Sequence, residues 1–123
     1  MTKISKNSGG DMLSFNMAVD YTAKIAQYLH EAESAWERGD FRRSTWCCKK
    51  VHHKLTPFIS DEEDLKIEKK LIYIQKLLLN LHNKKIRSHC SFRIERILRY
   101  LGRQLNKVGL LIPTSDDPRF LFR

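Results

Sequence analysis

Between Pro57 and Gly102 the chain contains neither glycine nor proline, and its apolar residues there recur at steps of three and four. The residues that most readily interrupt a helix are missing where the 3.6-residue period is plainest, which confines the chain to helical architectures. Ser60-Asp61-Glu62-Glu63 reads as a capping box with an acidic first turn, and it opens a helix. From there Ile67, Leu71, Ile74, Leu78 and Leu81 form one stripe, widened by Leu77 and Leu79. The pattern over residues 61–107 fits one long helix or two. Asn83-Lys84-Lys85 with Ser88 and Ser91 favours a break near 83–91, followed by a helix from about Ser91 to Lys107 that carries Ile94, Ile97, Leu98, Leu101, Leu105 and Val108 on one face.

Upstream, Phe15, Ala18, Val19, Thr22, Ile25, Ala26, Leu29, Ala32 and Trp36 predict an amphipathic helix that stops at Gly39. Asp40 is placed to cap a second helix, with Phe41, Ser44, Thr45, Cys48, Val51, His52 and Leu55 inward and Pro57 closing it. The two helices form a tight hairpin. With Ala32, Gly39-Asp40-Phe41, the small Ser44 and Pro57, the segment from Tyr28 to Pro57 resembles a single tetratricopeptide-type repeat. That resemblance implies helical-hairpin geometry and a role in protein interaction. No second copy follows, whereas a repeat array normally needs at least three.

The expected fold is therefore all-α: a small antiparallel bundle of about four helices over residues 14–109, between a disordered arm (1–13) and an extended tail (110–123). A chain of 123 residues suits a single core. Three cysteines, two of them adjacent, fit free thiols in a reducing, cytoplasmic setting, which includes the inside of a virus particle. The polar N-terminus lacks the apolar run of a signal peptide, and Leu71–Leu81 is too short and interrupted to span a bilayer.

A formal charge of +9 favours anionic partners, and the excess is uneven. On the last helix, Arg96, Arg99, Arg103 and Lys107 form a ridge opposite the apolar stripe, preceded by Lys84, Lys85, Arg87 and Arg93, with Glu95 as the one acid in residues 83–107. The second helix holds Arg42, Arg43, Lys49, Lys50 and Lys54 and no acid. Trp46 falls between Arg43 and Lys50, where it either stacks on a base or anchors a partner, or is covered by a neighbouring helix. Either charge run also serves as an ordinary solvated face.

Catalytic constellations are not evident. Cys48 and His52 share a helix face, with His82, His89 and Cys90 elsewhere, but no CxxC knuckle accompanies them and core packing accounts for the pair, so neither metal nor cofactor is expected. No Gly-rich turn presents a nucleophile, and Asp61–Asp64 is a capping cluster, not a facing acid–base pair. The expectation is a non-enzymatic subunit of a larger assembly whose basic faces touch a nucleic-acid backbone with little sequence preference. The rival is a protein-interaction adaptor using the hairpin, Trp46 and the tail residues Phe120, Leu121 and Phe122. Self-association through surplus apolar surface on the helix at 65–81 is a third reading.

Overall fold

The structure, a computed structural model, describes the backbone of residues 10–109 and the side chains of residues 20–108. The tail residues Phe120, Leu121 and Phe122, and residues 1–9 of the expected arm, lie outside the described residues. Four helices follow in order: α1 (Gly10–Glu37), α2 (Phe41–Leu55), α3 (Asp61–Leu77) and α4 (Lys84–Gly109). Short 3₁₀ turns at Thr56–Phe58 and Leu78–Asn80 close α2 and α3, and no strand occurs among the described residues. Helix α1 already includes residues 10–13, which the glycine-containing composition had assigned to the arm.

The α1–α2 turn is built by its sequence. Gly39 takes φ of 82°, the left-handed region that a side chain disfavours. Its amide donates to the Trp36 carbonyl, and the Asp40 amide donates to that of Ala35, a Schellman closure. The Asp40 side chain then accepts from the Arg43 amide and starts α2. Ser60 caps α3 in the same way through the Glu63 amide at 3.1 Å.

The α3–α4 break exists but lies earlier than the serines suggested. Asn83 is the cap, accepting from the amides of Lys85 at 3.0 Å and Ile86 at 3.2 Å, so α4 begins at Lys84 and residues 84–91 are helical. Because α3 gives way to a 3₁₀ turn at Leu78, the helical phase is lost there. Leu79, expected to widen the stripe, is instead 74% exposed.

Consecutive helices run antiparallel. Tyr28 meets Trp46 and Glu31 meets Arg43 across α1–α2, while Tyr73 meets His89 across α3–α4. Besides these neighbours, α2 and α4 pack on each other across a short diagonal. Their apolar stripes supply most of the core: all seven inward residues expected on α2 and all six on α4 are buried, joined by Cys47 and Cys90. Side-chain bonds tie the core together. Ser44 donates to the Ala32 carbonyl at 2.8 Å, the Trp36 indole donates to Ser91 at 3.0 Å, and the Tyr21 hydroxyl donates to the Lys54 carbonyl. His52, almost wholly buried, joins Asp64 at 2.7 Å and so fastens α3 to α2.

Candidate nucleic-acid interface

Helix α3 has a narrow inward stripe, Ile67, Leu71 and Ile74. A cleft of about 880 Å³ lies between α3 and α4. Lys66 and Lys70 stand on the α3 wall, one helical turn apart. Arg93, Arg96, Arg99, Arg103 and Lys107 stand on the α4 wall. Glu63 and Glu95 are the acids along the lining. A smaller groove of about 510 Å³ between α1 and α4 shares Arg99 and Arg103, so the α4 ridge runs between two depressions.

The ridge residues are not equivalent. Arg96, Arg103 and Lys107 are exposed. Arg99 is exposed as well but pairs with Glu95 one turn before it at 2.8 Å. Arg93 is half-buried, its guanidinium 4.8 Å above the Tyr73 ring and its Nε buried without a hydrogen bond. Arg96 lies 5.6 Å over the Phe92 ring, and Phe92 and Phe58 are exposed on the cleft lining. The Tyr100 hydroxyl is buried without a hydrogen bond of good geometry. Burial first, and the Glu63 carboxylate second, push its phenol up to about 12.

Arg87 does not belong to this face. It stands seven residues before Ile94, on the apolar side of α4, and reaches over the end of α2. There it donates to the Gly39 carbonyl at 3.1 Å and covers the Phe41 ring at 4.8 Å. Its task is to hold a turn. Lys84 and Lys85, in the first turn of α4, are exposed.

The α2 face is a separate surface. Arg42, Arg43, Lys49 and Lys50 are exposed around Trp46, which is 43% exposed and central on the outer arc. Arg43, one turn before, sits 4.8 Å from its ring centroid and Lys50, one turn after, 5.1 Å. Tyr28 meets its edge at 6.1 Å. The ring is thus already engaged by the protein's own cations, and what this face offers is charge held in place, not a bare stacking platform. Arg43 is further held by Glu31 at 3.3 Å, and with Arg38 it keeps the Glu31 carboxyl below the usual carboxylate range.

Sequence reasoning found the α4 ridge and missed the opposite wall of the cleft. Lys66 and Lys70 share a face by their spacing of four, but only the meeting of α3 with α4 reveals that they confront the ridge. The cysteines offer no nucleophile at this site: all three are free and buried, and burial pushes each thiol up, Cys48 most strongly. No group of three or more His, Cys, Asp or Glu is arranged to hold a metal ion among the described residues. Among those residues, too, no helix is long and apolar enough to cross a membrane. Comparisons with family models, curated proteins and solved structures return no match.

Proposed function

We propose that this chain is a non-enzymatic nucleic-acid-binding subunit that grips the phosphate backbone in the α3–α4 cleft and along the α4 ridge, with little sequence preference, inside a larger assembly. One observation carries the reading: cations stand on both walls of one cleft, Lys66 and Lys70 facing Arg96, Arg103 and Lys107. A strand of phosphates laid between them is neutralised from two sides, and each neutralised phosphate releases counterions. Lys and Arg on helix walls position a backbone without reading bases, which fits weak sequence preference. Exposed Phe58 and Phe92 add apolar surface for sugars and bases.

The test is a titration of labelled oligonucleotides at rising salt, with wild type and the triple variant Arg96→Ala, Arg99→Ala, Arg103→Ala. Steeply salt-dependent binding that the triple variant loses supports the reading. Absence of binding at low salt, or binding indifferent to salt, sinks it and leaves the adaptor reading, whose surface is the Trp46 face.

A further inference from the structure

The cleft between α3 and α4 holds phenyl rings as well as cations, and a chain of phosphates alone gives those rings nothing to bind. Phe58, on the turn that precedes α3, and Phe92, on α4, both line it and are 46% and 53% exposed. Tyr21 meets the Phe58 ring tilted at 6.2 Å, and Arg96 lies 5.6 Å over that of Phe92, so each ring is steadied by a neighbour without being covered. Neither is boxed in as Trp46 is, between two cations and a tyrosine edge.

The rings are set apart along the cleft. Because α3 and α4 are antiparallel, Glu63 near the start of α3 lies against Tyr100 in the second half of α4. Phe58, ahead of Glu63, therefore stands opposite the last turns of α4, whereas Phe92 stands two turns before Tyr100. The two mark opposite ends of the cleft, about 20 Å apart along the helix direction. Between them come Lys66 and Lys70 on one wall and Arg96 and Arg103 on the other. A strand laid along that length presents about six phosphates at the ~3.4 Å spacing of stacked bases, and fewer when it is drawn out.

The cleft is also narrow. Ile67, Ile74 and Ile97 on its lining are buried, so the two helices touch beneath it. Helices in contact lie about 8–10 Å apart, whereas a duplex carries grooves about 12 and 6 Å wide and is broader than the gap. A duplex can rest on the rim cations, but its bases stay stacked within it and both rings remain in water. A single strand is slim enough to enter, and its unpaired bases are free to lie on the rings.

We infer that this cleft, on the backbone contacts proposed above and resting on them, selects single-stranded nucleic acid over duplex, with Lys66, Lys70, Arg96 and Arg103 on the phosphates and unpaired bases stacked on Phe58 and Phe92. Which base is present matters little, since every base offers a π-face.

The experiment compares, at one salt concentration, three labelled probes of about twenty nucleotides per strand: oligothymidylate, which does not pair with itself, a mixed-sequence duplex, and an abasic strand with the same phosphates as the first. The duplex carries the highest charge density, so backbone attraction alone ranks it first. The expected order is the reverse, with oligothymidylate bound about tenfold or more tighter than either of the others. Phe58→Ala and Phe92→Ala should each weaken oligothymidylate binding by about fivefold or more, with helicity and affinity for the abasic strand unchanged, a pattern that loss of structure does not produce. A duplex or an abasic strand bound as tightly as oligothymidylate overturns the inference and leaves the backbone reading in place. Binding of none of the three at low salt overturns both.

Discussion

The guanidinium of Arg87 donates to the carbonyl of Gly39 at 3.1 Å, across 48 positions of sequence, and so fastens the first turn of α4 to the α1–α2 corner. The same side chain covers Phe41 at 4.8 Å. Arg87→Ala should therefore lower stability by roughly 1–2 kcal/mol in denaturant titrations while sparing anion binding. Arg103→Ala should do the opposite, shifting stability by less than about 0.5 kcal/mol and weakening binding. Equal effects of the two substitutions on both readouts would show that the separation is mistaken.

Gly39→Ala tests the same corner from the other side. At φ of 82° an alanine is strained by about 1–2 kcal/mol. Its Cβ would also come within 3.0 Å of the Arg87 guanidinium, which must shift and loosen its bond. The variant should show a lowered midpoint of thermal unfolding, and the deficit should shrink in an Arg87→Ala background.

The thiols offer a test of core integrity. Cys47, Cys48 and Cys90 are 0%, 1% and 0% exposed, and burial holds each protonated at neutral pH. A thiol-titrating disulfide should react slowly with the native chain and with three thiols once denaturant is added. Rapid native reaction at any of them would mean that its helix opens readily.

Tyr100 sets an alkaline limit. Its phenol is pushed from 10.0 up to about 12 in the fold, so the native chain holds that proton more tightly than the unfolded one. The resulting stabilisation is complete below the unfolded value and fades as pH climbs from about 10 through about 12. Tyr100→Phe removes the titration. Between about pH 9 and pH 11 the variant should lose less stability than the wild type does, measured by urea unfolding at each pH.

For the cleft, the slope of binding against salt reports the number of phosphates engaged. Replacing Arg96 and Arg103 together should flatten that slope by roughly 0.9 for each contact removed on a duplex. Replacing Lys66 and Lys70 on the facing wall should flatten it similarly if both walls hold one strand. A slope unchanged by the second pair would confine binding to the ridge.

Much of this architecture was legible from spacing alone. The stripes on α2 and α4 translate directly into burial because each helix is enclosed on several sides, leaving little freedom in which face turns inward. Helix α3 is less constrained, packed mainly along one side, and there the reading failed: Leu79 follows the end of the helix, where the 3.6-residue period no longer applies. The start of α4 was misplaced because Asn83 was read as part of a polar interruption, although Asn is a strong helix cap. Arg87 was grouped with its charged neighbours by composition, yet its spacing to Ile94 already put it on the inward side. The cleft itself was out of reach, since no property of Lys66 or Lys70 alone tells which helix will face them.

The packing of α2 on α4 bears on how the two cationic surfaces are placed. Helices that press their apolar sides together turn their polar sides apart, so the Trp46 face and the Arg96–Lys107 ridge are separate surfaces of the bundle. A straight rod of negative charge can lie against one of them at a time. Anything that engages both must bend round the bundle, or arrive as two separate strands with the protein as the rivet between them.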